Sequence, residues 1–155
     1  MLKKIISLIM LFNVLTHCGF TPLYSNKTNI NFSISSIQFE GDRTINNLLK
    51  SNLNQYKNND YDRKFDIIVI SNYEKNTLSK DKAANTTSYE LSLNSKFNIK
   101  YNNGKIKKLE FSEKKIMNNI SDNFEEKKNE TIHKENFASS VYNKLLAELS
   151  MLNDS

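Results

Sequence analysis

Tyr89-Glu90-Leu91-Ser92-Leu93-Asn94-Ser95-Lys96-Phe97-Asn98-Ile99-Lys100-Tyr101 is the stretch on which the fold turns. Tyr89, Leu91, Leu93, Phe97, Ile99 and Tyr101 all stand at odd positions, with Glu90, Asn94, Lys96, Asn98 and Lys100 between them. Side chains of a strand alternate between the two faces of a sheet, so this spacing makes a long strand with one buried and one solvated face. Asn102-Asn103-Gly104 follows as a hairpin turn, because Asn and Gly tolerate positive φ. Leu109 and Phe111 then mark a returning strand that continues towards Ile116.

Reading backwards, Asn76 to Thr86 is expected as a polar loop containing Lys80 and Lys82. Before it, Phe65, Ile67, Val69 and Tyr73 line one face of another strand, and Ile68 and Ile70 make its opposite face apolar as well. Residues 57–64 are a polar, charged turn. Ile45, Leu48, Leu49, Leu53 and Tyr56 have helical spacing, with Asp42 as N-cap. The first strand holds Ile30, Phe32 and Ile34, then Ile37 and Phe39; the parity flips at Ser35-Ser36, which predicts a bulge or bend, and Gly41 ends it. At the other end, residues 118–130 are polar and of mixed charge. A final helix is expected from about Thr131, with Phe137, Ala138, Val141, Tyr142, Leu145, Leu149 and Leu152 along one stripe.

The order β-α-β-β-β-α gives an α+β two-layer sandwich. Its sheet has four mostly antiparallel strands, with both helices on one face because neither helix has a second apolar side. The chain of 155 residues has room for one such domain, assigned to residues 30–155. Its Asn, Lys and Ile content follows A/T-rich codons. Three Gly and one Pro leave no Gly-rich phosphate loop and no Pro-rich linker.

Residues 1–17 read as a signal peptide. Lys3 and Lys4 form its basic start and Ile5 to Leu15 its apolar segment. Eleven residues rise only ~17 Å as a helix, against the ~30 Å of a bilayer core, so the segment is processed rather than membrane-spanning. The formal charge of +5 includes Lys3 and Lys4, leaving +3 on the mature chain. That balance fits either ordinary lysine solubilisation or contact with an anionic surface. With only Arg43 and Arg63 as arginines, it does not fit nucleic-acid binding.

The single cysteine, Cys18, follows the signal directly. Leu15-Thr16-His17-Cys18 resembles the lipobox of bacterial lipoproteins, with His17 standing where a small residue is usual. Diacylglycerol on Cys18 would supply a membrane anchor. The other reading, an unpaired thiol, suits an oxidising compartment poorly. Gly19 rather than Asp after the cysteine resembles lipoproteins sorted to the outer membrane. Residues 18–29 then form a lipidated tether.

Catalytic sets are missing. After signal removal one histidine, His133, remains; there is no CxxC, HExxH or Walker motif. Glu125-Glu126 and Asp60/Asp62 are paired carboxylates in what read as solvated loops. The expectation is a protein that is not an enzyme and needs no cofactor or metal.

Cys18-Gly19-Phe20-Thr21-Pro22-Leu23-Tyr24 resembles the opening of mature LptE, the lipopolysaccharide-assembly lipoprotein, in its alphaproteobacterial form. The order of strands and the final Ala/Leu helix follow the same pattern. The resemblance implies a protein on the periplasmic side of the outer membrane. It would assist assembly of, and plug, the LptD β-barrel, and bind lipopolysaccharide. It also implies basic ligand-binding residues in the loop entering the third strand and just before the last helix; the matching positions are Lys82, and Lys127 and Lys128. The helix-free sheet face carrying Ile68 and Ile70 is the expected partner surface. A generic periplasmic adaptor lipoprotein of another envelope complex, or a lipid-carrier domain, are the competing readings.

Overall fold

A computed structural model describes residues 31–57 and 60–152; the signal peptide, Cys18 and the tether lie outside the described residues. The elements are β1 (Phe32–Gly41), α1 (Arg43–Leu53) running into a short 3-10 turn (Asn54–Tyr56), β2 (Arg63–Lys80), β3 (Thr86–Tyr101), β4 (Ile106–Asn118) and α2 (Asn123–Met151). The sheet order is β1-β2-β3-β4. β1 runs parallel to β2, and the other two pairings are antiparallel. This is the expected α+β sandwich, with both helices packed on one face.

A parallel pair needs a crossover, and α1 supplies it between β1 and β2. The register of β1 against β2 slips between Ile34 and Ser36, which places the bulge at the parity flip read from Ser35-Ser36. Gly41 ends β1 with φ +93°, a left-handed conformation that glycine adopts without strain. Asp42 then caps α1: its carboxylate oxygen accepts from the Ile45 amide at 2.8 Å. The junction is tied to β2, since the Asp42 amide donates to the Ser71 carbonyl at 2.9 Å. The Ser71 hydroxyl donates to buried Asn46 at 2.7 Å, and the Asn46 amide group in turn donates to the Glu40 carbonyl.

The core fills the space between the layers. Phe32, Phe65, Phe97, Ile67, Val69, Leu91, Leu93 and Ile99 come from the sheet; Ile45, Leu49 and Leu53 from α1; Phe137, Val141, Leu145 and Leu149 from α2. The odd-numbered residues of β3 face this core, as their alternation requires. Arg63 binds the far end of α2, donating to the carbonyls of Leu149 and Leu152. A cation there also opposes the negative end of the helix dipole.

Two boundaries differ from the sequence reading. The expected loop over Asn76–Thr86 is mostly ladder: β2 continues to Lys80 and β3 starts at Thr86, so only residues 81–85 turn. Residues 76–80 are exposed on both faces, so no hydrophobic alternation reports the strand. The final helix starts at Asn123, not near Thr131. Its cap is Asp122, which accepts from the amides of Phe124 (2.8 Å) and Glu125 (3.2 Å). Glu125 and Glu126 are therefore first-turn helical residues rather than loop carboxylates, placed where the helix dipole favours them.

A Cβ on Gly41 would stand 1.9 Å from the Ser71 carbonyl oxygen, whereas one on Gly104 (φ +81°) would meet nothing within 4 Å. Gly41→Ala is therefore expected to destabilise the fold by about 3 kcal/mol or more, from strain plus displacement of β2. Gly104→Ala carries only the backbone cost, about 1 kcal/mol. Urea denaturation of the two variants measures the difference.

Candidate functional site

The helix-free face of the sheet is built by the residues whose neighbours point into the core. Register places Gln38 beside Ile68, Ile68 beside Asn98, and Asn98 beside Lys108; one step along, Glu40, Ile70, Lys96 and Glu110 form the next row. Ile68 and Ile70 do lie on this face and are half-buried by their polar neighbours. Ile106 and Ile116 of β4 join them, at 61 % and 60 % exposed. Ile68, Ile106, Asn98, Lys100, Asp66 and Gln38 surround a shallow depression of about 230 Å³. The face is thus a mosaic: isoleucines set among lysines, asparagines and serines. Across strands Lys114 pairs with Glu90 at 3.1 Å, and the neutral Asn94 amide donates to the Glu110 carboxylate at 2.7 Å.

Lys82 sits at the tip of the β2–β3 hairpin. That tip is a built turn: Asp81 accepts from the amides of Ala83 and Asn85, both at 2.8 Å, and from the Asn85 side chain at 3.1 Å. The Asn85 side-chain and backbone donors and the Ala83 amide hold the Asp81 carboxyl below the usual carboxylate range. Lys127 and Lys128 are exposed on α2 itself, one turn past its cap, and not in a loop before it. Lys128 lies 3.7 Å from Glu125 of the same helix. The structure brings the three lysines to the same end of the sheet, where Asn119 donates to the Thr87 carbonyl and α2 begins.

At that end the structure also assembles a group of charges that the sequence reading did not single out. Lys75 of β2 contacts Glu126 at 2.6 Å and Glu130 at 3.1 Å, and its ammonium lies 4.2 Å from the centre of the Tyr89 ring. Lys134 stands 3.5 Å from Glu130 and 4.0 Å from Asp42, the cap of α1, and 4.1 Å from the Tyr73 ring centre. All five charged side chains are mostly shielded. Burial alone would raise the Glu130 carboxyl, but the Lys75 hydrogen bond and the Lys75 and Lys134 charges outweigh it and hold Glu130 below its ordinary range. A carboxyl so depressed contributes stability at neutral pH that is lost as pH falls through its folded value. Burial, followed by the Glu130 charge, drives the Tyr73 phenol upward. The spacing Glu126, Glu130, Lys134 was a readable signal, since four-residue steps share a helix face; it becomes visible only once the helix is started at Asp122.

The fold of the described residues is shared with solved structures of lipoproteins. The solved structure of rare lipoprotein B from Shewanella oneidensis matches with a TM-score of 0.55 at 12 % identity, covering 75 % of this chain and 94 % of that one. Lipoprotein B from Nitrosomonas europaea matches at 0.52 and 11 % identity, with 79 % and 89 % covered. A minor lipoprotein from Acinetobacter baumannii matches at 0.50 and 15 %, with 74 % and 94 % covered. No protein-family model matches the sequence, and no curated protein does.

The two sheet faces predict opposite responses to the same change. Leu93 is 1 % exposed in the core, so Leu93→Asp is expected to unfold the domain, at a cost of about 4 kcal/mol or more for a buried unpaired charge. Ile68→Asp with Ile70→Asp, on the open face, should cost about 1–2 kcal/mol and leave a folded protein. Thermal unfolding followed by circular dichroism compares them; equal destabilisation would reject the assignment of faces.

Proposed function

We propose that this chain is an LptE-type lipoprotein of the outer membrane, held on its periplasmic side by a diacylglycerol on Cys18. In this reading it assists assembly of, and plugs, an LptD-type β-barrel and binds lipopolysaccharide, without catalysis and without a cofactor. The observation that carries the reading is a conjunction. The heptapeptide Cys18–Tyr24, with its lipobox-like approach, precedes a domain whose fold is shared with rare lipoprotein B.

The surfaces support the same reading. A barrel lumen is lined by polar and charged side chains as well as scattered apolar ones. The open face, with Ile68 and Ile70 among lysines and asparagines, is chemically suited to such a wall. Lys82, Lys127 and Lys128 share one end of the molecule, and lipid A phosphates are compact anions that lysine meets as a point charge. The lipid-carrier alternative calls for space between sheet and helices, and Phe32, Phe65, Phe97, Leu49 and Leu145 fill that space. The adaptor alternative differs only in its partner.

Affinity purification of the full chain from detergent-solubilised outer membranes is expected to recover a large β-barrel; recovery of a different envelope complex instead would favour the adaptor. Cys18→Ala should abolish fractionation with outer membranes, and mass spectrometry should find the lipid on Cys18 in the unaltered protein. The combined change Lys82→Asp, Lys127→Asp and Lys128→Asp should weaken lipopolysaccharide binding several-fold at low salt with barrel association retained. The loss should shrink as salt screens the attraction.

A further inference from the structure

The two halves of the twenty-nine-residue α2 are attached to the fold differently: the second half adds ion pairs of Lys144 with Glu113 and of Glu148 with Lys107 to a buried apolar stripe, and the first half has no such stripe. The buried side chains of α2, Phe137, Ala138, Val141, Leu145 and Leu149, all belong to the second half. From Asn123 to Asn136 no apolar side chain is buried. That first half meets the sheet through Lys75, which bridges Glu126 and Glu130, and meets α1 through Lys134, which reaches Asp42. Beneath it lie the Tyr73 and Tyr89 rings, each covered by one of the two ammonium groups. Core packing responds little to charge, whereas ion pairs and cation–π contacts vanish when a charge is removed.

We propose that the first half of α2 is a strap, latched to the sheet by Lys75 and Lys134, that opens as a unit separate from the second half. The hinge falls at Asn136–Phe137, where the polar half gives way to the half embedded in the core. Release would carry Lys134 away from the Tyr73 ring and leave Lys75 without its two carboxylates, while Arg63 and the apolar stripe keep the rest of the helix in place. A fourteen-residue helix cut loose from its support is marginal in water, so release shows as exposure of its backbone amides.

The inference is independent of the proposed function. It is tested by amide hydrogen exchange on the full chain in detergent, unaltered and as the double variant Lys75→Met with Glu130→Gln, which keeps side-chain volume while removing the central charges. Amides of residues 127–136 are expected to exchange at least ten-fold faster in the variant, with those of 141–150 within two-fold of the unaltered protein. Equal acceleration in both halves would overturn the proposal, since the helix would then open as one unit. No acceleration in either half would overturn it as well, because the ion pairs would then not be the latch. Should the double variant fail to fold, a titration of the unaltered chain to 1 M sodium chloride supplies the same comparison of the two halves, read by the same criteria.

Discussion

The close approach of Gly41 to the Ser71 carbonyl is the contact from which the rest of the domain is laid out. It lets β1 end hard against β2, in a conformation that a side chain would obstruct. The next residue, Asp42, hydrogen-bonds to the same carbonyl and caps α1. With that corner set, α1 has one direction in which to return over the sheet, and β1 must pair with β2 in parallel. Asp42 then faces Lys134 of α2, so the corner also sets where the long helix crosses. One glycine and one aspartate thus relate four elements, β1, β2, α1 and α2.

What was legible in the sequence were the places where burial is one-sided. The odd-numbered residues of β3 gave their strand at once, and the parity flip at Ser35-Ser36 located a real slip in register. Asp42 and Asn102-Asn103-Gly104 were readable because capping and positive φ have few chemical solutions. The misplaced boundaries share one physical origin. Residues 76–80 pair as strand while both their faces meet solvent, and residues 123–130 form helix without burying an apolar side chain. Neither arrangement leaves a hydrophobic period. The Asp122 cap with Glu125 three residues later did mark the helix start, but a local cap within a charged stretch is a weaker sign than an apolar stripe.

The same asymmetry governs the candidate sites. Ile68 and Ile70 were placed on the open face because strand parity is a strong rule, and their surroundings follow from register alone. The lysines at the hairpin end came from resemblance, and nothing in their spacing distinguished them from other surface lysines. The shielded charges around Lys75 belonged to no motif. They arise from β2, α1 and α2 converging, which is a property of the assembled fold and not of any one segment.

The two outer strands give the sheet a further property. At β1 the bulge at Ser35 interrupts the straight row of backbone groups that another strand would need. At β4, the other outer strand, Lys107, Lys108, Glu110, Glu113, Lys114 and Lys115 are charges that an added strand would have to accommodate. Both margins discourage strand addition, while none of the described residues covers the broad face between them. In the proposed function, a partner on that face is therefore selected by its side chains rather than by backbone zippering. Among the described residues, two copies of the domain have no straight, uncharged margin along which to polymerise.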